Sequence, residues 1–179
     1  MNKYKVHMMG ASGSGKTVLV ASLYHRLSML GPDRSFIIKV PPEDAIKLND
    51  AFARIEAKDA EWPPPTRTEI HEWDFSFRVE VGESRVEPFQ ITYVDYPGGF
   101  LTNPLAAESS EAKALLEDMT AAHGLLVLLN GQTVSELMAG QANAGRVLAK
   151  DLAYPLFVVS DTVCPVQFAV TKWGLLEGK

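Results

Sequence analysis

Only one cysteine, Cys164, occurs among 179 residues, so no internal disulfide can form, and a reducing cytoplasm is the expected compartment. Long apolar runs are missing as well. The longest covers about six residues around Leu125 to Leu129, against the roughly 20 that a membrane-spanning helix needs. Behind Lys3 and Lys5 the apolar stretch is too short for a signal peptide. No basic stripe exists: 17 Lys and Arg are interspersed with 22 Asp and Glu for a net charge of −5, which argues against bulk nucleic-acid binding. The four histidines, His7, His25, His71 and His123, are scattered without the spacing of a metal site, and His7 and His123 read as structural. No Ser-His-Asp or Cys-His arrangement can be argued from residue order. There is no internal repeat, and no biased segment beyond Pro63 to Pro65. What remains is 46% hydrophobic, enough for one α/β domain with its own core over residues 1–179.

Against that plain background, residues 10–17 stand out. Gly10-Ala11-Ser12-Gly13-Ser14-Gly15-Lys16-Thr17 matches G-x-x-x-x-G-K-[ST], a phosphate-binding loop. Tyr4 to Met9 before it reads as a short strand. After it Val18, Leu19, Leu23, Leu27 and Leu30 recur at helical spacing until Gly31-Pro32. A strand feeding a glycine loop that opens a helix aims backbone N–H groups and the positive helix end at one point. That point suits a β-phosphate. Lys16 would bridge β- and γ-phosphate oxygens, and the Thr17 hydroxyl would coordinate Mg²⁺. Gly10, Ser12, Gly13, Ser14, Gly15 and Val18 complete the cradle, with Ser12 and Ser14 serving its backbone and not acting as nucleophiles. The competing reading is a glycine-rich turn that binds nothing. The flanking strand and helix argue against it.

Further along, Ser35 to Val40 reads as a strand ended by Pro41-Pro42, and Glu43 to Asp59 as a helix. Trp62 with the three prolines makes a stiff connector. Trp73, Phe75, Phe77, Val79 and Val81 then alternate with Asp74, Ser76, Arg78 and Glu80, the signature of a half-buried strand. Residues 82–85 turn the chain, and Val86 to Val94 returns with Phe89, Ile91 and Tyr93 on one face, which makes an antiparallel hairpin. Ala106 to Ala122 is expected to be helical, Gly124 to Leu129 a buried strand, and Gln132 to Leu152 one helix that Pro155 breaks or kinks. Leu156 to Val159 fits strand or helix equally, and Val166 to Val170 is the last strand.

The hairpin's return strand ends in Asp95-Tyr96-Pro97-Gly98. An aspartate at such a strand end supports Mg²⁺, usually through water, and the glycine N–H meets a γ-phosphate. By itself the segment is an ordinary proline-glycine turn; downstream of a phosphate loop it becomes a metal-site aspartate. The last strand ends in Thr171-Lys172-Trp173-Gly174.

Together these motifs resemble the Ras-like, TRAFAC-class P-loop GTPases. That likeness implies a mostly parallel α/β sheet with an antiparallel hairpin and helices on both faces. The closest resemblance is to the bacterial double-GTPase group, through the strand–helix insert at about residues 32–62, the segment from Trp62 to Thr66, Asp95 to Gly98, and Thr171-Lys172-Trp173 followed by Leu175-Leu176. The resemblance covers nearly the whole chain. It implies GTP or GDP with Mg²⁺ as ligands, Thr171 and Lys172 on the base side, Thr66 ahead of Thr68 as the threonine closing over the γ-phosphate, and a protein partner or second subunit. Arg67 reads as a solvated loop arginine ahead of a transition-state ligand.

Two residues depart from the family pattern. Gly174 stands where an aspartate reads guanine, and Gly99 follows Gly98 where a water-orienting side chain is expected. A complete Ras-like domain also continues for another helix, strand and helix, so truncation at the C-terminus is an expectation. Slow GTP hydrolysis, a degenerate nucleotide-binding scaffold and an ATP-binding protein all stay open.

Overall fold

The computed structural model describes residues 1–29, 36–57, 70–81, 84–97 and 110–172. Strand β1, Asn2–Met9, begins exposed and ends with His7, Met8 and Met9 fully buried. Its side chains alternate between two cores. Met8 joins Val20 and Ala21 of α1 (Lys16–Ser28), Leu48 of α2 (Pro42–Glu56), Ile38 of β2 (Phe36–Lys39), and Trp73 and Phe75 of β3 (His71–Val81). Met9 joins Tyr96, Leu115 and Met119 of α3 (Ser110–Thr120), Leu125 and Val127 of β5 (Gly124–Asn130), and Val158 of α5 (Ala144–Ser160). Successive residues of a strand face opposite sides. The two cores therefore place α1 and α2 on one face of the sheet and α3 and α5 on the other.

Among the described residues six strands lie in the order β2-β3-β4-β1-β5-β6, with β4 spanning Ser84–Asp95 and β6 Val166–Thr171. Pairings β1 with β4, β1 with β5 and β5 with β6 are parallel, and β3 is antiparallel to both of its neighbours. Only β3 runs against the rest, so the α/β architecture expected from the motifs is the one found. Its hairpin is longer than the alternation indicated, because the ladder closes as far as His71 opposite Asp95. A register shift between Phe77 and Val79 interrupts the apolar face, and Phe77 stacks on Phe89 with ring centroids 4.6 Å apart.

Three expectations change. The helix expected over Gln132 to Leu152 is two, α4 (Gly131–Met138) and α5, separated by Gly140 at φ 74°. That left-handed conformation ends a helix and is cheap for glycine alone. Helix α5 runs through Pro155, which is buried, so Leu156 to Val159 is helical. Finally the helix expected from Glu43 starts one residue earlier: Pro42, which follows the end of β2 as read, sits in the first turn of α2, where a missing N–H costs nothing.

Helix α3 also has a polar anchor. Asp118 Oδ2 lies 2.8 Å from Lys5 Nζ and 3.1 Å from Nε2 of the buried His7. Lys5 Nζ reaches Glu72 Oε1 at 3.0 Å, and His123 accepts from the Lys5 N–H at 3.1 Å. Burial pushes the His7 imidazole below its usual pKa, Asp118 pulls the other way, and Lys5 adds to the push. The folded chain thus binds this proton less readily than the unfolded chain. The stabilisation is complete above the unfolded pKa of about 6.5 and is lost as pH falls through the lower folded value. Urea unfolding should show the wild-type midpoint dropping more steeply than that of His7→Gln below about pH 6.5; parallel curves would remove His7 as the cause.

Candidate functional site

Carboxyl ends of β1, β4, β5 and β6 share one edge of the sheet, and the chain leaves β1 toward α1 on one face but leaves β4 toward α3 on the other. Such a reversal opens a crevice between neighbouring strand ends. Residues 10–15 fill it. Gly13 and Gly15 adopt φ 76° and 89°, and the turn closes with Ser14 N–H donating to Ala11 C=O at 3.1 Å. Gly10 passes so close beneath β5 that a Cβ would come within 2.8 Å of the Leu128 carbonyl oxygen. Helix α1 then starts at Lys16, and the first N–H groups of any α-helix have no intrahelical acceptor. Ser12 and Gly13 are exposed at the mouth, Val18 is partly covered, and Ser14 is buried.

The Lys16 side chain folds back into the loop and is 6% exposed. Its ammonium donates to the Gly10 carbonyl at 2.9 Å and to that of Ala11 at 3.4 Å, 5.9 Å above the Tyr96 ring. Burial lowers its pKa, and the Asp95 carboxylate pulls it partly back. An anion docked at this loop would offset the desolvation that burial imposes on the cation. Tyr96 is fully buried, which raises its phenol well above the usual pKa. Nothing in the sequence singled Tyr96 out beyond its place after Asp95.

Thr17 Oγ1 donates to Asp95 Oδ2 at 2.7 Å, which joins α1 to the end of β4. A hydroxyl and a carboxylate converging on one point match what Mg²⁺ takes: few protein oxygens, with phosphate and water filling the octahedron. Among the described residues no group of three His, Cys, Asp or Glu side chains is placed to hold a metal by itself. The residues fit Mg²⁺ bound together with a phosphorylated ligand.

Thr171 braces the loop from the other side. Its hydroxyl lies 2.6 Å from Ser14 O and 3.1 Å from Leu129 O, so its one proton is shared between the phosphate loop and β5. Lys172 follows at φ 53°, and Asn130 caps α4 by accepting from the Gln132 N–H at 3.1 Å. Gly131 completes the fit, since a Cβ there would overlap the Thr171 carbonyl oxygen. Asn130 and Gly131 escaped the sequence reading because their roles exist only once β5 and β6 pair. Loop, Lys16, Thr17, Asp95 and Thr171 are thus brought together. Thr66, Arg67, Thr68, Gly98, Gly99 and Gly174 lie outside the described residues.

This bracing is measurable. Thr171→Val should cost about 1–3 kcal/mol in urea unfolding by removing the donor from two part-buried carbonyls, while Thr171→Ser stays near wild type. Gly131→Ala should cost about 1–3 kcal/mol by forcing β6 away from α4. A wild-type midpoint for Thr171→Val would remove the hydroxyl as a brace.

Comparison with known proteins identifies a family. No curated protein matches the chain. Among solved structures, a chain of the signal recognition particle receptor SRb-GTP/SRX complex from Chaetomium thermophilum is 15% identical, with 95% of this chain and 69% of that chain covered at a TM-score of 0.43. A family model, Double-GTPase 1, matches residues 7–151, from the end of β1 through the phosphate loop, the hairpin and Asp95 into α5. On that match the chain belongs to the Double-GTPase 1 family of GTP-binding proteins.

Proposed function

We propose that the chain binds GTP and GDP with Mg²⁺ and hydrolyses GTP slowly, as a molecular switch or regulatory module in a cytoplasmic bacterial multi-component system. The observation that carries this reading is the convergence of a buried Lys16 and the Thr17–Asp95 pair on the phosphate loop at the sheet's carboxyl edge. Lys16 neutralises β- and γ-phosphate charge. Thr17 and Asp95 would hold Mg²⁺, which when bound would supply positive charge for the phosphates. Thr66 and Gly98 meet the γ-phosphate, and Thr171 and Lys172 form the base side.

Two sequence features set the rate and the selectivity. Gly99 has no side chain to orient water, so turnover is slow unless a protein partner or second subunit supplies that group. Gly174 has no carboxylate for the guanine edge, which leaves base preference to backbone and packing.

Equilibrium binding of fluorescent GDP, GTP, ADP and ATP with Mg²⁺ tests the reading. Guanine nucleotides should bind about tenfold tighter than adenine ones, and Lys16→Ala should weaken binding by about 10- to 100-fold. Equal or adenine-favouring binding would sink the guanine assignment. No binding by the wild type would leave a scaffold that keeps the loop without its ligand.

A further inference from the structure

Helix α2 belongs to the segment inserted between α1 and the hairpin, and nothing in the phosphate-loop chemistry requires it. Its first turn nevertheless carries Asp44, an acidic residue only 7% exposed. A buried carboxylate needs a donor. Asp44 Oδ1 takes one from His71, whose Nε2 lies 3.2 Å away, with Lys47 Nζ farther off at 4.0 Å. His71 opens β3 and stands directly opposite Asp95 in the hairpin ladder. Opposed residues of an antiparallel pair have Cβ atoms about 4.5–5.5 Å apart on the same face. That face is the α1 face, where Trp73 packs, its ring 4.0 Å from that of His71, and where Asp95 accepts from Thr17. His71 is therefore joined to Asp44 of the inserted helix by its ring and set opposite Asp95, on the metal side of the site, by the ladder register.

We infer that Asp44 and His71 extend the metal side of the nucleotide site, with Asp44 orienting the His71 ring beside Asp95 as a positioning pair. The inference rests on the proposed Mg²⁺-dependent nucleotide binding. A carboxylate oxygen accepts, so the Asp44 contact favours a proton on Nε2, and in the Nε2–H tautomer Nδ1 is an acceptor. An acceptor beside Asp95 is the chemistry that orients a metal-bound water, as outer-sphere partners do at other metal centres. The inserted helix thereby contributes to metal affinity without touching the metal.

The test compares wild type with His71→Gln, Asp44→Ala and Asp44→Asn. One readout is the ratio of fluorescent-GDP affinity in Mg²⁺ to that in EDTA. It should fall about tenfold in His71→Gln and in Asp44→Ala. Asp44→Asn, which keeps the oxygen acceptor, should restore most of the ratio. The second readout is the ¹⁵N NMR spectrum of His71 in the metal-free chain, which should report Nε2–H in the wild type and a mixture of tautomers in Asp44→Ala. An unchanged ratio in a folded His71→Gln chain overturns the inference. So does a parallel loss of affinity in Mg²⁺ and in EDTA, which marks a purely structural pair. A wild type whose GDP affinity ignores Mg²⁺ overturns the nucleotide-site reading and this inference together. A Mg²⁺-dependent wild type with unaffected variants overturns this inference alone.

Discussion

Everything in this fold hangs on β1 being buried from both sides. At its carboxyl end β1, flanked by two parallel neighbours and covered above and below, has no solvent for its side chains, so consecutive Met8 and Met9 must each find a separate core. That double burial fixes the strand's height and tilt, and with them the point at which the chain leaves the sheet. The glycine loop emerges there because only a residue without Cβ passes beneath Leu128 at Gly10. The site's geometry is thus a consequence of core packing two residues upstream.

Around that fixed point the site is assembled from elements that share no local sequence. Lys16 is drawn under its own loop by two carbonyls, Thr17 ties α1 to β4 through Asp95, and Thr171 ties β6 to the loop from the far side. Each link joins a side chain to a group at least five residues away in sequence, and two of the three bridge different strands or helices. The loop is therefore held in one shape by its surroundings, which reduces the ordering that a ligand must impose.

What was legible in the sequence follows the same division. The phosphate loop, the hairpin alternation and Asp95 at a strand end are local patterns, and each falls where its pattern put it. Periodicity gave way where a single backbone angle decided the outcome. The alanine-rich stretch around Gly140 looks continuous because its neighbours favour helix, yet one left-handed glycine divides it. Pro155 invites a break, but its place on the buried side of α5 lets packing outweigh the lost hydrogen bond. Tyr96 beneath Lys16, Gly131 against Thr171, and Asp44 beside His71 were beyond reach for another reason: each pair is separated by tens of residues and is joined only by the strand order.

That strand order also separates two kinds of recognition. The side toward β4 concentrates charge and hydroxyl groups, Lys16, Thr17 and Asp95, where a low-dielectric setting strengthens each interaction with phosphate and metal. The side toward β6 is built differently. The Thr171 hydroxyl is committed to bracing the loop, and Gly131 offers only backbone. In the proposed reading, most of the binding free energy comes from the phosphates, and the base contributes through shape more than through paired hydrogen bonds. In that reading the phosphate side carries the discrimination between a triphosphate and a diphosphate. That is the discrimination a switch needs, since its two states differ by one phosphoryl group and not by the base.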